Sequence, residues 1–438
     1  MKQKIRLGLV CFARETYDFH AAADIYKAII GELAAVEAVE WEIIPELVIS
    51  VEDAKKAAAR FSGARVDALV CVSGTFHLGH LVLELKKQVR VPVLLWGLDE
   101  LPYNGGKIRL NSVCGVNLDA SNLYKAGIDD YRAIVGNSID QDWIDAIRVI
   151  VALRESHVGI IGYRADGFFN LSVDDPSLYG ATGVLVDHFE LSDVYAAKIE
   201  AAAIAERESA IRSLFDVSDL RLEQVQKVAE LSAKLDAFCR GKSIDALAIR
   251  CWPEFARDFG VSPCAAMSLL QSEGRILACE GDLEGALSMI AHRAIGAETP
   301  YLFDFSQVDF DKNFALLWHC GVAPCNLWDG CSVRSLDTYF AGGKGVTAGF
   351  VLKPGKVSIA RIDSARGKRR LFLQRAEGVP MEKELKGTYL KAVFARPVKE
   401  VLDLIIKNGI AHHASMVYGD YVEPLRIAAG LLGWEIIE

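Results

Sequence analysis

Several features that would indicate particular classes of protein are missing from this sequence. Its ten cysteines include no C-x-x-C pair, and their spacings fit no common zinc finger. No apolar run approaches the roughly 18 residues of a membrane-spanning helix. The net charge of −9 gives no general attraction to nucleic acid or anionic lipid. We therefore expect a cytoplasmic protein with reduced thiols, with neither nucleic acid nor membrane as a partner.

What is present indicates a large globular chain. The 438 residues are 51% hydrophobic and 24% charged, which is typical of a protein with extensive cores. We divide the chain into an N-terminal α/β domain (1–155), a second α/β domain (156–327) and a β-rich C-terminal domain (328–438). The expected fold class is α/β, with two doubly wound domains followed by a mainly antiparallel β domain.

Short buried-type strands alternate with helices in the N-terminal domain. The first apolar run, Ile5–Phe12, lacks a small-residue cleavage motif after it and is interpreted as a strand rather than as a signal peptide. Ala68–Val72 and Val91–Trp96 are similar runs, and Asp24–Val39 has helical spacing of apolar residues. This pattern predicts parallel strands, whose carboxyl-end loops usually bind ligands.

The second domain continues the alternation and the third changes it. We expect a strand at Ile276–Cys279, a helix at Leu283–Ile295 and one long helical stretch from Val194 to Arg240. Beyond about residue 328, glycines punctuate short alternating stretches such as Lys356–Ile362. That texture is typical of an antiparallel, barrel-like region.

Acids and histidines recur inside apolar segments of the second half. Charged side chains are rarely buried unless they are paired or bound to a cation. Carboxylate and imidazole ligands without thiolates suit a divalent ion of the Mn, Mg or Co type. The segments are Cys279-Glu280-Gly281-Asp282, Phe303-Asp304-Phe305, Leu317-Trp318-His319 and Ala411-His412-His413.

Each segment also has a simpler interpretation that the residues leave open. Glu280 and Asp282 could cap the helix that follows, since acids favour that position. His319 could be a hydrogen-bonded core histidine, and Asp304 a turn or edge residue. His412 and His413 could be ordinary loop residues.

The order acid, acid, His, His-His resembles the superfamily of L-fucose and L-arabinose isomerases. Glu280-Gly281-Asp282 is similar to the Glu-Gly-Asp of the arabinose enzymes and the Glu-Asn-Asp of the fucose enzymes. Ala411-His412-His413 is similar to their Ala-His-His and Ala-Asn-His motifs, so His413 aligns with the shared histidine. The resemblance implies an aldose–ketose sugar isomerase that uses Mn²⁺, or Co²⁺ or Mg²⁺, and forms a homo-oligomer, a hexamer or a trimer.

The resemblance also implies roles for the residues of these segments. Glu280 and Asp304 are the expected acid/base pair of a cis-enediol proton transfer. Asp282 is either a further ligand or a residue that orients one. The expected metal ligands are Glu280, Asp282, Asp304, His319 and His413, and the expected substrate contacts are His412, Trp318 and Glu254.

Two other functions stay open at this point. Fucose isomerases carry a catalytic glutamate on the helix before the acidic motif, and Pro263–Leu270 has none. Glu254 could take its place if its loop faces the site, although a structural role is the simpler interpretation. A related enzyme, such as an epimerase or an isomerase of a modified sugar, is the first alternative. A non-catalytic sugar-binding protein is the second.

Overall fold

The computed structural model describes all 438 residues, which fall into two compact units. The first unit comprises residues 2–151 and 424–434, and the second comprises residues 152–423 and 435–438 with Met1. No helix combines the length and the apolar character that crossing a membrane requires.

The first unit is built on a sheet of five parallel strands in the order β2-β1-β3-β4-β5. Every residue of β3 and of β4 is buried, as expected for parallel strands covered on both faces. The strands are β1 (Ile5–Phe12), β2 (Val39–Val48), β3 (Ala68–Ser73), β4 (Val93–Gly97) and β5 (Tyr131–Val135). The helices that begin between or after them are α1 (Phe19–Leu33), α2 (Val51–Ala64), α3 (His80–Gln88), α4 (Ser112–Lys125) and α5 (Gln141–Glu155).

The second unit begins with a smaller parallel sheet in the order β7-β6-β8-β9. All residues of β8 and β9 are buried. The strands are β6 (His157–Ile161), β7 (Leu185–Phe189), β8 (Ala246–Ile249) and β9 (Ile276–Cys279). The helices are α6 (Asp175–Thr182), α7 (Leu191–Tyr195), α8 (Ala201–Leu214), α9 (Leu222–Lys242), α10 (Cys264–Ser272) and α11 (Leu283–Ala294).

The remaining strands form one nine-stranded sheet, ordered β12-β13-β16-β11-β10-β17-β14-β15-β18. An additional pairing of β15 with β16 closes six of them into an antiparallel barrel. The strands are β10 (Tyr301–Asp309), β11 (Phe314–His319), β12 (Ser335–Asp337), β13 (Thr347–Val351), β14 (Gly355–Ala365), β15 (Lys368–Val379), β16 (Thr388–Phe394), β17 (His413–Tyr418) and β18 (Glu435–Ile437). The last helices are α12 (Val398–Asn408) and α13 (Val422–Leu431).

The predicted fold class is confirmed, with parallel α/β sheets followed by an antiparallel, barrel-containing sheet. The boundaries of β9 and the start of α11 agree with the sequence pattern. The prediction of one long helix from Val194 to Arg240 is wrong, because that stretch contains the end of α7, all of α8 and most of α9. The chain is non-helical at Phe215, between α8 and α9, where φ is −129° and ψ is 145°.

Helix α11 carries a buried histidine that makes the second unit sensitive to acid. His292 is fully buried, with Nδ1 2.9 Å from the hydroxyl of Ser415 and with no partner for Nε2. Burial lowers the pKa of His292 to about 3, because the charged imidazolium is poorly solvated there. The unfolded chain binds this proton below about pH 6.5. The neutral, buried His292 therefore costs no stability above that pH. Below it, the free energy of unfolding falls as the pH decreases towards about 3.

We predict that His292→Gln reduces the acid sensitivity of the protein. Glutamine retains a hydrogen bond to Ser415 but takes up no proton. At pH 5 the variant should therefore avoid a loss of about 2 kcal/mol in the free energy of unfolding that His292 causes in the wild type. Urea unfolding at pH 7.5 and pH 5 measures the change in stability for each variant. His20→Gln, which removes an exposed histidine, is the control. Equal pH dependence in wild type and His292→Gln would contradict the prediction.

Candidate functional site

The acid and histidine segments meet where the parallel sheet of the second unit contacts the rim of the barrel. Glu280 follows β9 directly, and Asp304 lies in β10. His319 ends β11 and His413 begins β17. Because β10 pairs with both neighbours, Asp304 lies opposite Trp318 on one side and opposite His413 on the other.

Glu280 is held in the site by an unusual backbone conformation. Its φ is 64° and that of Gly281 is 75°, so the chain turns sharply through two left-handed residues. A Cβ on Gly281 would collide with the carbonyl oxygen of Tyr163, and only glycine fits there. Left-handed non-glycine residues are strained and are concentrated at functional sites. The turn therefore fixes the direction of the Glu280 side chain.

The carboxylate of Glu280 is surrounded by nitrogen atoms. Oε2 lies 3.3 Å from Nε2 of His412 and 3.4 Å from Nε2 of His413. Oε1 accepts a hydrogen bond from Nε1 of Trp252 at 3.4 Å. Burial raises the pKa of Glu280, but His412, His413 and His319 outweigh burial and bring the pKa below its ordinary value. Glu280 is thus an ionised base at neutral pH.

Two contacts determine which nitrogen of His413 carries the proton. The ring is fully buried, and Nδ1 donates to Oδ2 of Asp282 at 3.0 Å. Burial lowers the pKa of His413, but Asp282, Asp304 and Glu280 outweigh burial and raise it above its ordinary value. In the neutral ring, the form that binds a metal, the lone pair is on Nε2, which has no hydrogen-bond partner. That atom lies 3.3 Å from Oδ1 of Asp304 and 3.4 Å from Oε2 of Glu280. A lone pair between two carboxylates is well placed for a cation.

Asp282 is the anchor of this arrangement. It is fully buried, caps α11 by accepting from the amide of Gly285 at 2.9 Å, and faces Arg361. Arg361 donates to Oδ2 at 2.7 Å and to Oδ1 at 3.1 Å. Burial raises the pKa of Asp282, but Arg361 and His413 lower it far below the usual range. Both oxygens are occupied, which favours the orienting role over that of a ligand.

His319 and His412 have the opposite proton arrangement from His413. Nδ1 of His319 accepts from the amide of Cys320 at 2.8 Å, which places the proton of the neutral ring on Nε2. Nδ1 of His412 likewise faces the side-chain amide of Asn170 at 3.1 Å, so its Nε2 donates to Glu280. Nε2–H of His412 is directed at Glu280, whereas Nε2 of the buried His319 has no hydrogen-bond partner. His319 as a metal ligand requires its proton on Nδ1, which the Cys320 amide opposes.

The donor atoms nevertheless form two overlapping groups that fit a divalent ion. Glu280, His412 and His413 make one group, and Asp304, His319 and His413 make the other. Within each group the candidate atoms lie within 4.8 Å of one another. His413 is common to both, and its unpartnered Nε2 is the observation that fits a metal. Mixed oxygen and imidazole ligands suit Mn²⁺, Co²⁺ or Mg²⁺.

The other predicted site residues lie at different distances from this centre. His412 is at the rim, 37% exposed in its side chain, with the ring of Phe168 5.2 Å away. The indole of Trp318 donates to the carbonyl of Lys386 at 2.8 Å, with its ring 6.5 Å from that of His319. Glu254 pairs with Arg250 at 2.5 Å and makes no polar contact with Glu280, Asp304 or the site histidines.

Sequence reasoning missed several residues that shape the site. Arg361 was not identified, although an arginine inside the apolar strand pattern of Lys356–Ile362 is a signal of a buried pair. No sequence pattern identifies Trp252, whose indole contacts Glu280. Phe168 and Asn170 lie in a loop with no motif of its own, and only the fold brings them to His412.

Comparison with known proteins shows which sequences and structures this chain resembles. Residues 8–143 match the family described as fucose/sulfoquinovose isomerase, N-terminal domain. A sulfoquinovose isomerase of Priestia aryabhattai is 28% identical over 435 residues, 95% of each chain. One of Alkalicoccus urumqiensis is 27% identical and covers 85% of this chain and 86% of its own. Among solved structures, Rp1789 of Rhodopseudomonas palustris (strain CGA009) is 11% identical. The match covers 69% of this chain and 67% of that chain, with a TM-score of 0.19.

We predict that His413→Ala weakens metal binding far more than His412→Ala. His413 presents a buried lone pair fixed by Asp282, whereas His412 presents a proton. Calorimetric titration of chelator-treated protein with Mn²⁺ should show a loss of more than about 100-fold in affinity for His413→Ala, and of less than about tenfold for His412→Ala. A larger loss in His412→Ala would reverse the assignment.

Proposed function

We propose that this chain is a sugar aldose–ketose isomerase of the fucose isomerase-like family and that it acts on sulfoquinovose with a bound divalent ion. Sulfoquinovose is an aldohexose derivative with a sulfonate at C6, and its isomerisation gives the corresponding 2-ketose. The relatives named for this reaction match nearly the full length of the chain. The observation that carries the mechanism is the buried Nε2 of His413 between the carboxylates of Glu280 and Asp304.

We assign Glu280, Asp304 and His413 as the residues that hold the ion. When bound there, a divalent ion polarises the sugar carbonyl and stabilises negative charge on the adjacent oxygens. Asp282 orients His413 through Nδ1, and Arg361 holds Asp282 in place with two hydrogen bonds. The assignment of His319 as a further ligand, or as a donor of its Nε2 proton, stays a prediction.

Proton transfer in this site falls to the two carboxylates. Glu280 is ionised and takes the proton from C2 of the open-chain aldose, which leaves a cis-enediolate with its negative charge on O1. The Glu280 carboxylic acid then returns that proton to C1, and the proton of the C2 hydroxyl passes through Asp304 to O1, which gives the 2-ketose. His412, with Nε2–H directed at Glu280, keeps the carboxylate in position and reaches a substrate hydroxyl from the rim. Trp252 donates to the other oxygen of Glu280.

We further propose a cytoplasmic location and a homo-oligomeric assembly. All ten cysteines are free thiols, and eight of them are buried. Such a set is typical of a reducing compartment. The assembly is inferred from the family resemblance, and sedimentation equilibrium of the purified chain measures it directly.

The purified protein is expected to convert sulfoquinovose into its ketose only when a divalent ion is present. Treatment with a chelator followed by gel filtration should abolish turnover, and Mn²⁺ or Co²⁺ should restore it more completely than Ca²⁺, which prefers all-oxygen sites. Nuclear magnetic resonance of the sugar carbons gives the extent of reaction. Full turnover by protein shown to be free of metal would exclude the metal-dependent mechanism.

Glu280→Gln is expected to lower kcat by about 10³-fold while the fold is retained. Glutamine keeps the size of the side chain but cannot accept the C2 proton. Exchange of the C2 hydrogen with deuterated solvent is the direct readout, and Glu298→Gln, which changes an exposed acid, is the matched control. Wild-type exchange in Glu280→Gln would show that another group is the base.

A further inference from the structure

The side chain of one arginine beside the site makes no hydrogen bond and no ion pair within the chain. Arg164 is partly buried, and its Nε has no hydrogen-bond partner. It makes no ion pair, whereas Arg250 at the end of neighbouring β8 is paired with Glu254 at 2.5 Å. Arg14 and Arg366, whose side chains also make no hydrogen bond or ion pair, are instead exposed to solvent. A cation that is half removed from water and left unpaired is costly, and it indicates a position for an anion.

The backbone of Arg164 is locked against the catalytic turn. Strand β6 ends in two left-handed residues, Gly162 with φ 71° and Tyr163 with φ 64°. This turn packs against the left-handed pair of Glu280 and Gly281, and the amide of Ala165 donates to the carbonyl of Glu280 at 3.0 Å. The position of Arg164 relative to Glu280 is thus set by direct backbone contact.

Two aromatic rings hold the guanidinium itself. Its Cζ atom lies 5.0 Å from the ring centroid of Tyr163 and 5.0 Å from that of Phe169. Contact with ring faces orients the planar group and leaves its N–H edge for a ligand. The same loop continues to Phe168 and Asn170, which contact His412. The loop therefore connects the cation to the reacting end of the site.

The charge of the site explains why an anionic substrate needs this arginine. Glu280 and Asp304 are committed to the divalent ion at the reacting end, so an anionic group at the far end of the sugar needs a cation of its own. Resting on the function proposed above, we propose that Arg164 binds the sulfonate at C6 of the substrate. The guanidinium fork matches two oxygens of a sulfonate, and such bidentate, charge-assisted hydrogen bonds are the strong ones.

The test compares sulfoquinovose with quinovose, which lacks only the sulfonate, in wild type and variants. Arg164→Gln should lower the ratio of kcat/KM for sulfoquinovose to that for quinovose by at least about 30-fold, mainly through KM. Arg164→Lys keeps the charge but not the planar, forked guanidinium. Its ratio of kcat/KM values should lie between those of the wild type and Arg164→Gln. Arg366→Gln, at an exposed hairpin, should leave the ratio at its wild-type value. Glucose 6-phosphate in parallel reports whether the position accepts a phosphate monoester instead.

The outcomes separate this inference from the proposed function. A wild-type protein that isomerises quinovose but not sulfoquinovose overturns the proposed substrate. A wild-type protein that prefers sulfoquinovose, with the preference intact in Arg164→Gln, overturns the role of Arg164 alone. If kcat/KM falls equally for both sugars in Arg164→Gln and in Arg164→Lys, the arginine only supports the loop. That result also overturns the role of Arg164 in binding the sulfonate. Higher kcat/KM for glucose 6-phosphate than for sulfoquinovose assigns the position to phosphate.

Discussion

The buried ion pair between Asp282 and Arg361 is the interaction on which the second unit depends most. Asp282 caps α11 and Arg361 lies in β14, so the pair connects the parallel sheet and its helix to the barrel. Arg361 also donates to the carbonyl of His413 at the start of β17. Removal of one partner from a buried pair of this kind costs about 3–5 kcal/mol, because the other charge is left without compensation. The same contacts that stabilise the fold therefore position the imidazole of His413.

The pair is part of a longer chain of buried charges. Arg361 also contacts Asp363, and Asp363 is paired with Arg370 on the neighbouring strand β15. Negative and positive side chains alternate along this row of ion pairs, so that no charged group is buried without a partner of opposite sign. The alternation crosses two strands of the closed barrel and ends at the site. The acidic character of the reacting end is thus balanced from behind by arginines that never face the substrate.

The sequence predicted the parts of this structure that depend on local pattern. Residues of β9 are uniformly apolar and Asp282 is a good helix cap, so the strand, the turn and α11 could be placed correctly. The stretch from Val194 to Arg240 failed because it is rich in helix formers throughout, and periodicity does not reveal the break at Phe215. Arg361 pairs with a residue 79 positions away. The proton positions on His413 and His412 depend on such distant partners, which no local pattern contains.

The left-handed turn at Glu280 also sets stability and function against each other in the evolution of the chain. Glycine adopts this conformation without the steric cost that a side chain incurs, so replacement of Glu280 by glycine would relieve strain of about 1–2 kcal/mol. Selection for stability alone would favour that replacement, while selection for proton transfer opposes it. A descendant released from catalysis should therefore lose this glutamate early and keep its fold.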